Sequence, residues 1–171
     1  MMLKIIQKYF SRNLFFYSFL VLLSDQITKI LILKNFEIYQ SIEITSFLNI
    51  VLVFNTGAAF SIFSDGYDWQ RYMLITSSIA IIFFLMYYLH RYVKNNWLQQ
   101  LSIYLIISGA LGNLIDRVRL GMVVDFIDFH IWGIHWPAFN VADSAITIGA
   151  LTLIVLELKY LNQIKKGSQQ N

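Results

Sequence analysis

Cysteine is absent from this 171-residue chain. That excludes disulfides, thiolate nucleophiles and zinc–cysteine sites, and it leaves the redox compartment unmarked. Charge is scarce: 13% of residues are Asp, Glu, Lys or Arg, against roughly 25% in a soluble domain. Proline occurs once, at Pro137, and glycine eight times, so few positions interrupt a long helix. His90, His130 and His135 form no HExxH, no G-x-S-x-G is present, and glycine-rich phosphate loops are missing, which removes the usual signatures of zinc proteases, serine hydrolases and nucleotide binders. No metal and no cofactor are expected. A net charge of +3 is too small to point to a nucleic-acid partner.

What the chain has is apolar length. Hydrophobic residues make up 57% of it and gather into spans at about 14–33, 72–89, 98–115 and 141–160. Each is long enough to cross a hydrocarbon layer of about 30 Å at 1.5 Å per residue. The basic lead (Lys4, Lys8, Arg12) before an apolar run looks like a secretory signal. However, the run is too long, holds Asp25 and Lys29, and leads to no small-residue cleavage site, so a retained anchor is expected. Lys4, Lys8, Arg12, Arg91, Lys94, Lys159, Lys165 and Lys166 place 8 of the 13 cations on one side of the four spans. Both termini are therefore expected in the cytoplasm. The fold expected is a single integral membrane domain over 1–171, with an outer β-segment at about 38–63 and a disordered tail at about 166–171. The β-segment follows from QSIEITSFLNIVLVFN, where Asn49, Val51, Val53 and Asn55 alternate with Ile50, Leu52 and Phe54. Residues 116–140 read as a mixed loop broken by Gly121, Gly133 and Pro137, with His130 and His135 in the membrane interface beside Trp132 and Trp136.

Ionisable and polar groups at membrane depth cost several kcal/mol unless paired or facing a polar cavity, so each needs a reason. Asp125, in GMVVDFIDFH, and Asp143, in FNVADSAIT, lie eighteen residues apart with Pro137 between them. Brought together, two carboxylates cannot both ionise easily; one keeps a proton while the other acts as a base, the arrangement of aspartic proteases. Asp143 also fits a capping-box relative, Asn140-x-x-Asp143, and Asp125 an exposed loop carboxylate. Asp25 and Lys29 share a helix face at i and i+4, as a structural ion pair or as a headgroup contact. Gly109, Asn113 and Arg117 lie at i, i+4 and i+8 on one side of span three, and suit either a close helix contact or support for the acidic pair. Asn55-Thr56-Gly57 with Ala58, Ala59 and Phe60 suits a cradle for an extended peptide, or an ordinary hairpin end.

Taken in order, DQITK (25–29), FNTGAAFS (54–61), GALGNLIDR (109–117), VVDF (123–126) and PAFNVADSAI (137–146) resemble the motifs of the lipoprotein signal peptidases, the signal peptidase II family. The resemblance covers about residues 25–150 and includes the four-span topology. It implies an aspartyl endopeptidase of the bacterial inner membrane that removes signal peptides from diacylglyceryl-modified prolipoproteins. Cleavage would fall just before the lipidated cysteine, near the outer face, and the cyclic peptide globomycin would inhibit it. By the same resemblance Asp125 and Asp143 are the catalytic pair, and Asn55, Gly57, Asn113, Arg117, Asn140 and Ala142 line the site or bind substrate. Asp25, Lys29 and Gly109 fall on family motifs, whereas Asp128 is not a family catalytic position. Membrane lipid is the expected surrounding and a monomer the expected state. Two other functions compete: a small transporter or proton relay through the same charges, and a non-catalytic assembly partner using its outer sheet.

Overall fold

The computed structural model describes residues 2–57, 68–93 and 96–168. Four long helices carry the four apolar runs: α1 (Met2–Asn35), α2 (Asp68–Tyr92), α3 (Trp97–Leu120) and α4 (Val141–Ser168). Each contains 23 or 24 consecutive residues apolar enough to cross a membrane. Large side chains such as Phe16, Phe83, Phe84, Ile148 and Leu158 are exposed on these helices. In water that would be costly, but in lipid the surrounding tails are as apolar as the side chains themselves.

The helices outrun the stretches expected from apolarity alone. α3 begins where Asn96 accepts hydrogen bonds from the backbone N–H of Leu98 and Gln99, and it continues to Leu120. There Gly121, at φ 82°, closes the last turn in the left-handed conformation that glycine adopts without strain. Its other end points are set from outside: Arg71 of α2 donates to the carbonyls of Arg117 and Val118 at 3.0 Å each. α4 continues through Ser168, into the stretch from about 166 expected to be disordered. Glu, Leu, Lys and Gln dominate its final turns and favour helix whether or not lipid surrounds them. The far end of that tail (169–171), together with Ala58, Ala59, Phe60 and the rest of the 58–63 segment, lies outside the described residues.

The sheet is larger than its first half suggested. β1 (Ser41–Thr45) and β2 (Leu48–Asn55) form the expected hairpin between α1 and α2. Two more strands, β3 (Val123–Ile131) and β4 (Ile134–His135), arise between α3 and α4 and complete an antiparallel sheet in the order β1-β2-β3-β4. Residues 123–131, expected to be loop, are therefore strand. Val123, Val124, Asp125 and Phe126 are all buried, so no polar face alternates with an apolar one, and period-two reading fails on a strand covered on both sides. Leu52, Val124 and Phe126 pack on Ile32 of α1, which fixes the sheet to the helix bundle. α3 is the central helix, packing against α1, α2 and α4.

Candidate active site

Asp143 lies in the first turn of α4, and the way that helix starts builds the site. Asn140 caps it: the Asp143 N–H donates to Asn140 Oδ1 at 2.9 Å, and the Asn140 N–H donates to Asp143 Oδ2 at 3.2 Å. This is the reciprocal capping box that the spacing suggested. It does not compete with a functional role, because the capping bonds leave the Asn140 amide group free. That group donates to Asp125 Oδ1 at 2.6 Å and lies within 3.3 Å of Asn113 Oδ1 and of the Val124 carbonyl. One fully buried residue thus holds both aspartates.

Asp125 is a buried strand residue, not an exposed loop carboxylate. Its second oxygen accepts from Asn55 Nδ2 at 3.0 Å, across from β2. Burial pushes its carboxyl up to about 7, and the nearby Asp143 charge acts in the same direction; the bonds from Asn55 and Asn140 and the Lys29 charge oppose the shift without cancelling it. Asn55 is aligned in turn by the Gly57 N–H, which donates to its Oδ1 at 3.0 Å, an Asx-turn. The Gly57 carbonyl accepts from the Arg117 guanidinium at 3.0 Å. Asn113 Nδ2 donates to Asp143 Oδ1 at 2.7 Å.

Behind this layer lies a buried charge cluster. Lys29 Nζ contacts Asp25 at 3.0 Å, Asp116 at 2.8 Å and Asn113 Oδ1 at 2.9 Å, which uses its three donors. Asp25 Oδ1 accepts from the Ala142 N–H at 2.9 Å, satisfying a first-turn amide of α4 that no water could reach. Asp116 accepts from the Val124 N–H at 3.3 Å, next to Asp125 in the strand, and from Gln26 Nε2 at 3.2 Å. The cluster therefore fixes the start of α4, the relevant part of β3 and the Asn113 amide together. Glycine permits the close approach: a Cβ on Gly112 would come within 2.5 Å of Asp25 Oδ2, and one on Gly109 would collide with the Ala142 carbonyl.

The eleven residues that the resemblance assigned to the site or its motifs lie together in this assembly, whereas Ala58, Ala59 and Phe60, read beside Asn55 and Gly57, lie outside the described residues. Asp116, Gln26 and Gly112 belong to it too and were passed over. Asp116 carries the clearest missed signal: it follows Asn113 by three positions, on the same part of α3, and a lone Lys29 near Asp25 leaves room for a second acid. Asp128 belongs elsewhere. It accepts from His135 at 2.9 Å and Asn49 at 3.0 Å. Although burial alone would raise it, those bonds hold its carboxyl below the usual range.

A cavity of about 800 Å³ opens beside Asp143, with Asn55, Asn113, Arg117 and Asp143 on its polar wall and Leu74, Ser78, Ala110, Ile146 and Thr147 among its other lining residues. The sequence matches the family described as signal peptidase (SPase) II over residues 17–159. The chain belongs to the signal peptidase II family. The lipoprotein signal peptidase of Burkholderia vietnamiensis is 49% identical over 142 residues, 83% of this chain and 85% of that protein. That of Cupriavidus necator is 46% identical over 143 residues, 84% of this chain and 81% of that one. A bacterial membrane enzyme solved by the in meso method at 2.3 Å resolution has a similar fold, with a TM-score of 0.78 and 39% identity over 87% of each chain. As a signal peptidase of this family the protein is an aspartic endopeptidase, built on four transmembrane helices.

Proposed function

We propose that Asp125 and Asp143 are the catalytic pair of this peptidase, and that its substrate is a prolipoprotein bearing a diacylglyceryl group on the cysteine that follows the cut. The observation that carries the assignment is Asn140, whose backbone and side chain bond both carboxylates in a buried setting. The ionised member takes a proton from a water molecule, and the resulting hydroxide adds to the scissile carbonyl carbon. The neutral member donates a hydrogen bond to the carbonyl oxygen as negative charge develops there. Collapse of the tetrahedral adduct breaks the C–N bond, the leaving nitrogen takes a proton from the dyad, and no covalent enzyme intermediate forms.

Asn55, Gly57, Asn113, Arg117, Asn140 and Ala142 serve this pair by positioning it and by meeting the peptide. Arg117 Nε is buried on the cavity wall with no hydrogen-bond partner among the described residues, a donor suited to a substrate carbonyl. Asp25, Lys29 and Gly109 support the pair from behind. The apolar part of the cavity suits acyl chains and the end of a signal helix, and globomycin would occupy the same space. The excess of cations on one side supports cytoplasmic termini and a cut near the outer face of the inner membrane. A monomer is the proposed state. An ion-relay reading gains nothing, since Lys29 and its acidic partners are already bonded to one another.

The test is purified protein in detergent or lipid, given a diacylglyceryl-modified prolipoprotein, with loss of the signal segment followed on a gel. Wild type cleaves, whereas Asp125→Asn and Asp143→Asn each fold but lose at least ~100-fold in rate. Cleavage retained in both variants refutes the assignment.

A further inference from the structure

A hydroxyl inside a membrane span has no water to bond, and on a helix it ordinarily turns back to the carbonyl three or four residues earlier. Among the helical serines and threonines whose side chains are described, all but one donate to a backbone carbonyl, Ser18 across to Tyr104 of α3 and the rest within their own helix. Thr147 is the exception. It makes no hydrogen bond with the described residues, although the Asp143 carbonyl stands four residues earlier. It is exposed, and it lines the cavity beside Asp143. The other two hydroxyls on that wall are committed: Ser78 of α2 donates to the Leu74 carbonyl at 2.7 Å, and Ser144 to the Asn140 carbonyl at 3.0 Å. On the described wall, the Thr147 hydroxyl is therefore the one left with its hydrogen free for a ligand.

Resting on the prolipoprotein reading above, we infer that Thr147 is a specificity-determining residue for the lipid, its hydroxyl donating to an ester carbonyl of the diacylglyceryl group. Asp143 and Thr147 lie at i and i+4 on one face of α4, so the hydroxyl sits one turn, about 6 Å, deeper in the span than the carboxylate. With the scissile amide at the dyad, the cysteine side chain and the first glyceryl carbons bridge a step of that size. The surroundings select the acceptor. Ile81, Ile106, Ala110, Ile146 and Ile148 of the same wall have apolar side chains, so a ligand that displaces water there leaves the hydroxyl unsatisfied unless it brings an acceptor. A lipid tail brings none. An ester carbonyl brings one, with no donor to satisfy in return. A peptide carbonyl of the signal segment is the competing acceptor, but it comes with N–H groups that these apolar side chains cannot receive.

The experiment gives the full chain in detergent two synthetic prolipoprotein peptides. One carries a diacylglyceryl group on its cysteine; the other carries the dialkyl ether, which keeps the chains and lacks the ester carbonyls. Thr147→Val keeps the branched shape and removes the hydroxyl, and Thr147→Ser keeps the hydroxyl; both change a cavity-facing side chain and leave thermal unfolding unaltered. On the diester, Thr147→Val loses roughly 3- to 10-fold in kcat/KM, the worth of one hydrogen bond. The loss lies in KM, because the contact is made before and during bond breaking alike. Exchanging ester for ether costs wild type a similar factor and costs Thr147→Val nothing further, while Thr147→Ser restores the preference for ester. An equal loss on both peptides overturns the inference in favour of a peptide carbonyl. A fall in kcat with KM unchanged overturns it in favour of a displaced Asp143, and unchanged kinetics on the diester overturn it outright. In all three cases wild type still cuts the diester; wild type that leaves the diester intact refutes the substrate reading itself, and the role of Thr147 falls with it.

Discussion

Replacing Asp125 with asparagine is expected to cut the cleavage rate by at least ~100-fold and, above neutral pH, to make the folded protein more stable. An Asp in the unfolded chain releases its proton near 3.8, whereas burial and the Asp143 charge keep the proton on Asp125 up to about 7. Between those values the folded state binds more protons than the unfolded one, so stability falls as pH rises across the window and levels off above it. The difference amounts to roughly 4 kcal/mol at pH values above both. Asparagine does not ionise and removes the whole of that slope. It also has one oxygen acceptor where the carboxylate has two, and both Asn55 at 3.0 Å and Asn140 at 2.6 Å donate there. One of those donors is left facing an NH₂ group, which costs about 1–3 kcal/mol. The net expectation is a gain of about 1–3 kcal/mol on the alkaline side and a loss of similar size below pH 3.8, with the two stability curves crossing between about pH 4.5 and 6. Thermal unfolding of wild type and variant in the same detergent, across a pH series, measures this directly. A variant that melts below wild type at every pH, acid and alkaline alike, would show that Asp125 is held as a stabilised anion and that the electrostatic reasoning is wrong.

Three further outcomes follow from the same contacts. The cleavage rate declines as pH rises through about 7, where Asp125 gives up its proton; a log kcat/KM profile that stays flat well into the alkaline range contradicts a pair that works with one shared proton. Lys29→Met leaves Asp25 and Asp116 buried and facing each other without their common cation, and lowers stability by about 3–5 kcal/mol, as breaking a buried ion pair does. The triple change that also replaces both acids by asparagine, which keeps an acceptor for the Ala142 and Val124 N–H groups, recovers part of that loss in thermal unfolding. Gly112→Ala puts a methyl group 2.5 Å from Asp25 Oδ2; overpacking of this kind costs about 1–3 kcal/mol, and it slows cleavage because Asp25 holds the first turn of α4 that carries Asp143.

Much of this molecule is written in linear stretches of sequence. Membrane thickness sets how long an apolar run must be, so four spans can be counted without knowing how they pack. The period-two run in β2 marks the first half of the sheet because its strand is only partly covered. Asn140 and Asp143 announce a helix start by spacing alone, since a capping box is a local structure. Burial of the first four residues of β3 on both faces erased the alternation that would have marked that strand, and so Asp125 passed for a loop residue. Tertiary structure also decided that the Asn140 side chain turns from its own helix to Asp125, that Lys29 meets Asp116 from a helix some ninety positions away, and that Gly112 is glycine because a carboxylate oxygen occupies the space a methyl would need. Those facts depend on which helices pass close together. Residue order records the length and polarity of each element, but the closeness of distant elements is decided when their surfaces pack.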